Sequence, residues 1–445
     1  MMAEGLAWRK ADPLESAAMP PRPRLLPLLV PVLVTLGLWG AGAQSEPRFA
    51  MVQIDAGAAE SAAVADFNND GKLDIVAAES WYEAPAWSKR PIRTIPVSSG
   101  YIDSFSDLPI DVDGDRFTDV IQIGYFARRI VWMKNPGAGG GAWTEHLIDA
   151  IGPTEFAFLV DLDNDGKADD LLPQFNTPAL PLAWYDLQNG TWVKHVVSSK
   201  SYGHGIGAGD VNGDKRADIV TPQGWLEAPA DPRGPGEWTF HPTDWQQRMI
   251  PAPAATASPS LTTPPSMAIP PAVPAAPPSP AMGTGAPAPP ARGAEWGFLY
   301  VLDINRDGRN DVLTTSAHSY GICWFEQRPD GTWQQHVIDH SWSHAHASVL
   351  ADVNGDGRPD LVTGKRFQSR NQPAPGDSDP LGIYWYEFRQ AANNAVSWTR
   401  HTIDYGSKAG GGVQMAVRDI DGDGDMDVLS SGKSGLFLAV NQARK

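Results

Sequence analysis

The stretch DVDGDRFTDV, Asp111 to Val120, places aspartates at its first, third, fifth and ninth positions. Like charges this close repel one another, and an ordinary turn has no use for four carboxylates. The pattern recurs six more times. DFNNDGKLD starts at Asp66, DLDNDGKAD at Asp161, DVNGDKRAD at Asp210, DINRDGRND at Asp303, DVNGDGRPD at Asp352 and DIDGDGDMD at Asp419. Successive starts lie 45, 50, 49, 93, 49 and 67 residues apart. The longest interval contains Pro251 to Arg292, which holds 14 Pro and 12 Ala among 42 residues with a single charge. A segment of that composition cannot bury a core and reads as a disordered or polyproline-like insertion. Without those 42 residues the interval is 51, back in the series. A smaller excess surrounds RFQSRNQPAPGDSDP in the 67-residue interval.

A period of 45–50 residues marks a repeat architecture. Each acidic loop lies between short apolar runs, such as ASVLADV before and PDLVTG after, which read as strands. Downstream comes a tryptophan strand (Trp81, Trp132, Trp184, Trp225, Trp324, Trp385), and then a fourth, as in WTEHLID from Trp143. Four strands per repeat predict a β-propeller blade. The seventh repeat stops after GLFLAVNQ, one strand short, while RFAMVQID, Arg48 to Asp55, ends like the fourth strands elsewhere. The expected fold is therefore all-β: a seven-bladed propeller over residues 44–445, with the first strand completing the last blade. A linear solenoid is the rival.

The loops offer oxygen ligands only, at alternate positions of a tight turn, as Ca²⁺ requires. The candidate ligands are Asp66, Asn68, Asp70 and Asp74 in loop one, and Asp111, Asp113, Asp115 and Asp119 in loop two. Loop three offers Asp161, Asp163, Asp165 and Asp169, and loop four Asp210, Asn212, Asp214 and Asp218. Asp303, Asn305, Asp307 and Asp311 follow in loop five, and Asp352, Asn354, Asp356 and Asp360 in loop six. Loop seven offers Asp419, Asp421, Asp423 and Asp427. Seven such ions would bring +14 against a formal net charge of −17, so the chain's acidity reads largely as a ligand inventory. That acidity also excludes nucleic acid as a partner. Loops two and four carry Arg116 and Lys215 where the others have glycine after the third acid, so weaker occupancy is expected there.

Residues 1–43 read as a signal peptide: Arg22 and Arg24, an apolar run from Leu25 to Trp39, then Ala41-Gly42-Ala43. The run is short and broken by proline, so stable membrane insertion after cleavage is not expected, and the protein is expected to be secreted or periplasmic. Cys323 is the single cysteine, which excludes an intramolecular disulfide.

These repeats resemble those of FG-GAP/VCBS repeat proteins, whose loops bind Ca²⁺ in integrin α-subunit propellers. SYGHGIGAGDVNGDKRADIVTPQGWLEAP, EWGFLYVLDINRDGRNDVLTTSAHSYGICWFEQ and PLGIYWYE are similar to secreted propeller proteins related to the propeller part of aldos-2-ulose dehydratase. That resemblance implies metal-assisted elimination of water from keto-sugars. The fungal enzyme also carries cupin domains, for which seven blades in 445 residues leave no room.

Strand order sorts the ten histidines. His146, His195, His241, His336 and His401 each stand three residues after a tryptophan, a repeated position that reads as structural. His204, His318, His340, His344 and His346 break the pattern and fall on the face opposite the acidic loops. Glu60 and Glu155 share the column of His204 and His346, six residues before a loop. The candidate catalytic set is His204, His318, His344, His346, Lys365 and Arg366. Imidazole with carboxylate could hold Zn²⁺ or another divalent metal, or a histidine could abstract a proton while Lys365 or Arg366 steadies an enolate. Tyr202, Tyr320 and Trp342 are expected at the rim, for stacking on sugar rings. The expected function is a carbohydrate lyase or dehydratase of keto-sugars or uronic sugars, with carbohydrate or another small molecule as substrate. The alternative is a non-catalytic propeller that binds glycans or proteins.

Overall fold

The computed structural model describes residues 47–175, 177–248, 250, 294–367 and 374–443. The expected signal peptide and the Pro/Ala-rich insertion lie outside them. Apolar runs of four to six residues, such as Asp119–Gly124, are buried along their whole length. A strand buried on both faces needs sheets on both sides, and the chain supplies them as seven four-stranded antiparallel sheets. The innermost strands are Ala63–Ala65, Asp107–Ile110, Thr154–Val160, Gly207–Gly209, Trp296–Leu302, Ala347–Ala351 and Ala416–Arg418. Outer strands such as Thr144–Asp149 are largely exposed. Blade seven is completed by Phe49–Asp55, which pairs antiparallel with Gly435–Asn441 from the other end of the chain. That closure removes the open sheet edge a solenoid would leave. Apolar clusters glue neighbouring blades; one unites Phe156, Ile206, Ile219 and Phe298 of blades three, four and five. Among the described residues no helix is long and apolar enough to cross a membrane.

Each acidic loop joins the innermost strand to the second. All seven share one backbone form, with left-handed residues at the fourth and sixth positions. Glycine is not required there: Arg116 (φ 73°) and Lys215 (φ 72°) take the sixth position, so the missing glycines do not change the turn. The first aspartate bends the loop by accepting the amide of the sixth residue, as Asp352 does from Gly357 at 2.8 Å.

The last aspartate does something sequence spacing did not reveal. In loop six, Asp360 accepts from Val353 N at 3.2 Å and from Phe388 N, on the third strand, at 2.9 Å. Six loops repeat this double bond. Burial pushes Asp360 up to about 7 despite these bonds. In loop three the role falls to Asp170, not to the expected Asp169. Leu162 N lies 2.8 Å from Asp170, and Asp170 pairs with Val160 in the register that Asp360 keeps with Ala351. That loop is one residue longer, and the chain reads the second of two adjacent aspartates.

Two predictions follow from this geometry. In chelator, Asp360→Ala should cost about 3 kcal/mol of unfolding free energy, because two buried amides lose their acceptor. Asp356→Ala, on the exposed part of the same loop, should cost well under 1 kcal/mol by roughly the same reckoning. Denaturant titration of both variants checks the contrast. The flanks of the insertion also meet, with Ala294 N on the carbonyl of Gln246 at 2.6 Å. Deleting residues 251–292 should therefore leave a soluble protein with an unchanged denaturation midpoint.

Candidate metal centre at the channel mouth

At the end of the ring away from the acidic loops, four blades point side chains at one place. Glu155 lies at the start of the innermost strand of blade three, and His204 stands just before that of blade four. His318 follows the second strand of blade five, and His346 precedes the innermost strand of blade six. One ligand atom from each lies within 4.8 Å of all the others, and all four residues are buried. Glycine brings the blades this close: a Cβ at Gly205 would stand 2.9 Å from the carbonyl of Trp296, and one at Gly207 1.8 Å from that of Leu299. His344 turns the chain to deliver His346. It has φ 63°, and its carbonyl accepts from the amides of both His346 and Arg366 at 2.9 Å.

The four groups form a connected cluster. His204 Nε2 is 2.8 Å from Glu155 Oε2 and 3.2 Å from His318 Nε2, and His346 Nε2 is 3.2 Å from Glu155 Oε1. His204 Nδ1 lies 2.8 Å from the carbonyl of Trp296, which can only accept, so Nδ1 carries the proton. A neutral His204 then turns a lone pair towards the carboxylate of Glu155. That contact is attractive only with a proton or a metal cation on Nε2. Three imidazoles and a carboxylate, with one ring held by a backbone carbonyl, are a donor set that could hold a divalent transition metal.

Burial drives the neighbouring imidazoles towards neutrality. His346 is lowered to about 4 by burial, and His318 falls well below its usual range through burial and the nearby His204. Glu155 is desolvated, which would raise it, but His204 and His346 hold it well below the ordinary carboxylate range. Below the cluster Phe156 sets its ring 5.7 Å from those of both His204 and His346 and packs on Phe298, which gives an apolar floor.

Arg366 joins the cluster to a second carboxylate. Its Nη1 is 2.8 Å from Glu155, and its Nε and Nη2 are 3.1 and 3.0 Å from Glu60. Lys433, in a turn of blade seven that sequence reading passed over, closes the chain at 3.1 Å from Glu60. Its Nζ also lies 3.9 Å above the ring of Tyr101 and 3.0 Å from the carbonyl of Phe367. Nothing in the repeat pattern flags this lysine; only the third dimension brings it to the mouth.

The other expected residues go elsewhere. Lys365 reaches Ser343 Oγ at 3.0 Å and the carbonyl of Gly376 at 2.7 Å, and so ties down the loop after the 368–373 stretch. The ring of His344 lies beside the same loop, with Nδ1 3.4 Å from Asp377. Tyr202 and Trp342 are not rim residues. Both are buried, Tyr202 stacked on Phe240 and Trp342 donating to Tyr386 at 2.7 Å. Tyr320 donates to Asp379 at 3.0 Å. His340 is exposed on the outer strand of blade five.

The five patterned histidines stack on the third-strand tryptophans, Trp132, Trp184, Trp225, Trp324 and Trp385, at 4.1 to 4.5 Å. Three of them also meet a glutamate, as His336 meets Glu326 at 2.7 Å. They are packing elements, as their repetition implies.

Residues 303–363, from the first aspartate of loop five into the second strand of blade six, match the family model described as FG-GAP-like repeat. No curated protein matches the chain. Among solved structures, the crystal structure of BBS1N in complex with ARL6DN, soaked with mercury, is similar. It shows 10% sequence identity over 89% of this chain and 97% of that one, with a TM-score of 0.47.

The two classes of histidine should separate by mutation. His336→Ala should lower stability by about 1–2 kcal/mol through loss of the indole stack and the Glu326 pair. His318→Ala should cost less than that in metal-free protein, because its ring meets no indole stack and no carboxylate, and its buried Nδ1 has no hydrogen-bond partner among the described residues. Equal shifts in chelator-treated samples would break the distinction.

Proposed function

We propose that the protein is an exported, calcium-stabilised propeller whose channel mouth carries a metal-assisted carbohydrate lyase or dehydratase. One observation carries the catalytic part: three buried imidazoles and Glu155 converge within 4.8 Å, on the face free of acidic loops. The carbohydrate part rests on the likeness of blades four to six to the dehydratase-related propellers. Glu155, His204, His318 and His346 would hold the metal, which when bound polarises a substrate carbonyl or hydroxyl. The chain's own groups do the rest. Arg366 holds Glu155 in place by pairing with its Oε1 at 2.8 Å, and its positive charge would favour an enolate formed beside it. The Phe156 and Phe298 floor keeps water from below, which strengthens each of these interactions. In the alternative without a metal, His318, the most exposed of the three imidazoles, would be the group placed to accept a proton lost next to a carbonyl. Lys365 and His344 shape the wall through the 374–379 loop.

The calcium part rests on the loops. In loops two, three and seven, three carboxylates converge within 4.8 Å. Their mutual repulsion would be relieved by a bound cation, so calcium should raise the melting temperature and chelator should lower it. Asp356→Ala should diminish that response while costing little stability in chelator.

With calcium saturating, the protein should take up one further ion of Zn²⁺ or Co²⁺ per chain, read by calorimetry or by Co²⁺ absorbance. Glu155→Gln or His346→Ala should weaken it by about 100-fold or more. Metal-loaded protein incubated with keto-sugars and with uronic-acid polymers should generate new ultraviolet absorbance from an unsaturated product. Metal uptake with no product from any sugar would leave a binding propeller instead.

A further inference from the structure

The charges around the centre identify which sugars it would take. Two carboxylates face the mouth, Glu60 and Glu155, and two cations answer them, Arg366 and Lys433. They form one chain across the channel: Lys433 to Glu60 at 3.1 Å, Glu60 to Arg366 at 3.0 Å, Arg366 to Glu155 at 2.8 Å. Lys365 belongs to a separate group with Gly376, and the nearby Asp377 and Asp379 sit on that same loop. The three imidazoles are buried and add no fixed charge when they serve as ligands. These four charges cancel, and Glu155 meets Arg366 through Oε1 while its Oε2 stays turned to His204. A divalent ion added to this balanced set leaves the mouth with a net excess of positive charge, over an apolar floor where that charge is weakly screened.

We infer that the metal-loaded centre takes an anionic substrate, a hydroxy-carboxylate of the sugar-acid type, in preference to a neutral keto-sugar. This inference rests on the metal reading above and narrows its substrate class. The substrate's carboxylate would supply the negative charge that balances the added ion, and an adjacent hydroxyl or carbonyl oxygen would supply a further oxygen donor beside Glu155. Lys433 acts through its charge: its donors stay on Glu60, Phe367 and the face of Tyr101, and its Nζ adds positive potential at the mouth. It is a specificity-determining residue, and it leaves the coordination of the metal to the four ligands.

The test is calorimetry on calcium-saturated, Zn²⁺-loaded full-length protein, with galacturonate and fructose as probes. Galacturonate should bind about ten-fold or more tighter than fructose, and its advantage should shrink as salt rises. Lys433→Met should weaken galacturonate by about ten-fold while leaving fructose and Zn²⁺ affinity unchanged, and Lys433→Arg should restore it. Equal affinity for the two sugars, or a Lys433→Met variant that loses metal rather than anion, overturns the inference while the metal reading stands. A protein that takes up no Zn²⁺ overturns the metal reading, and this inference falls with it.

Discussion

A carboxylate taken out of water must be given hydrogen bonds, or it will not stay folded as an anion. Each blade here is fastened by such a group. The last aspartate of the acidic loop is buried and accepts from the loop's second residue. In six blades its other oxygen accepts from the end of the third strand. Three strands and a loop are thereby fixed by one side chain. The chemistry explains why this position is always Asp, whereas the third position is Asn in four loops. An amide side chain could satisfy a third position that needs a single oxygen. At the last position its NH₂ would face a backbone N–H, donor against donor. The acidity of the loops therefore has two sources, ligand capacity and backbone fastening, and only the second depends on nothing but the chain itself.

Fastening each blade at its loop end leaves the opposite end free to differ. The strand ends there are fixed in place by their own sheets, but nothing in the repeat dictates which side chains they carry. Blades three to six use that freedom to converge Glu155, His204, His318 and His346, and blades one, six and seven supply the Glu60, Arg366 and Lys433 chain beside it. Blade two contributes aromatic faces instead, with Arg366 lying 5.8 Å from the ring of Tyr101 and 5.7 Å from that of Phe105. The cluster is assembled mostly from connections beside the strand ends, so its geometry depends on how each blade's sheet holds the adjoining turn.

Much of this was legible in the sequence because repetition is its own control. The seven loops gave the blade count, and the shared ending of RFAMVQID and the fourth strands gave the ring closure. Departure from the pattern separated His204, His318 and His346 from the five tryptophan-stacked histidines. What stayed hidden depends on distances across the channel. Lys433 has no repeat partner to mark it as exceptional. Asp170 was masked by an adjacent aspartate in perfect register with the other loops, and one extra residue in the turn decided between them. Tyr202 and Trp342 look like rim residues by position, yet their rings pack inward, where burial of a large aromatic outweighs any benefit of exposure.

The net charge of the chain, −17, would suggest a protein that repels anions. Range decides otherwise. Most of that charge sits in loops at the far ends of the innermost strands, which rise about 3.3 Å per residue. For a five-residue strand such as Ala347–Ala351 the separation exceeds the roughly 8 Å over which charge is felt through physiological salt. An anion approaching the mouth would come within reach of Arg366 and Lys433 before it felt the loops. Cations bound in the loops would cancel most of what field remains. The loop carboxylates, with or without cations, therefore bear on the stability of the blades, while the field at the mouth is set by the charges within reach of it, Glu60, Glu155, Arg366 and Lys433.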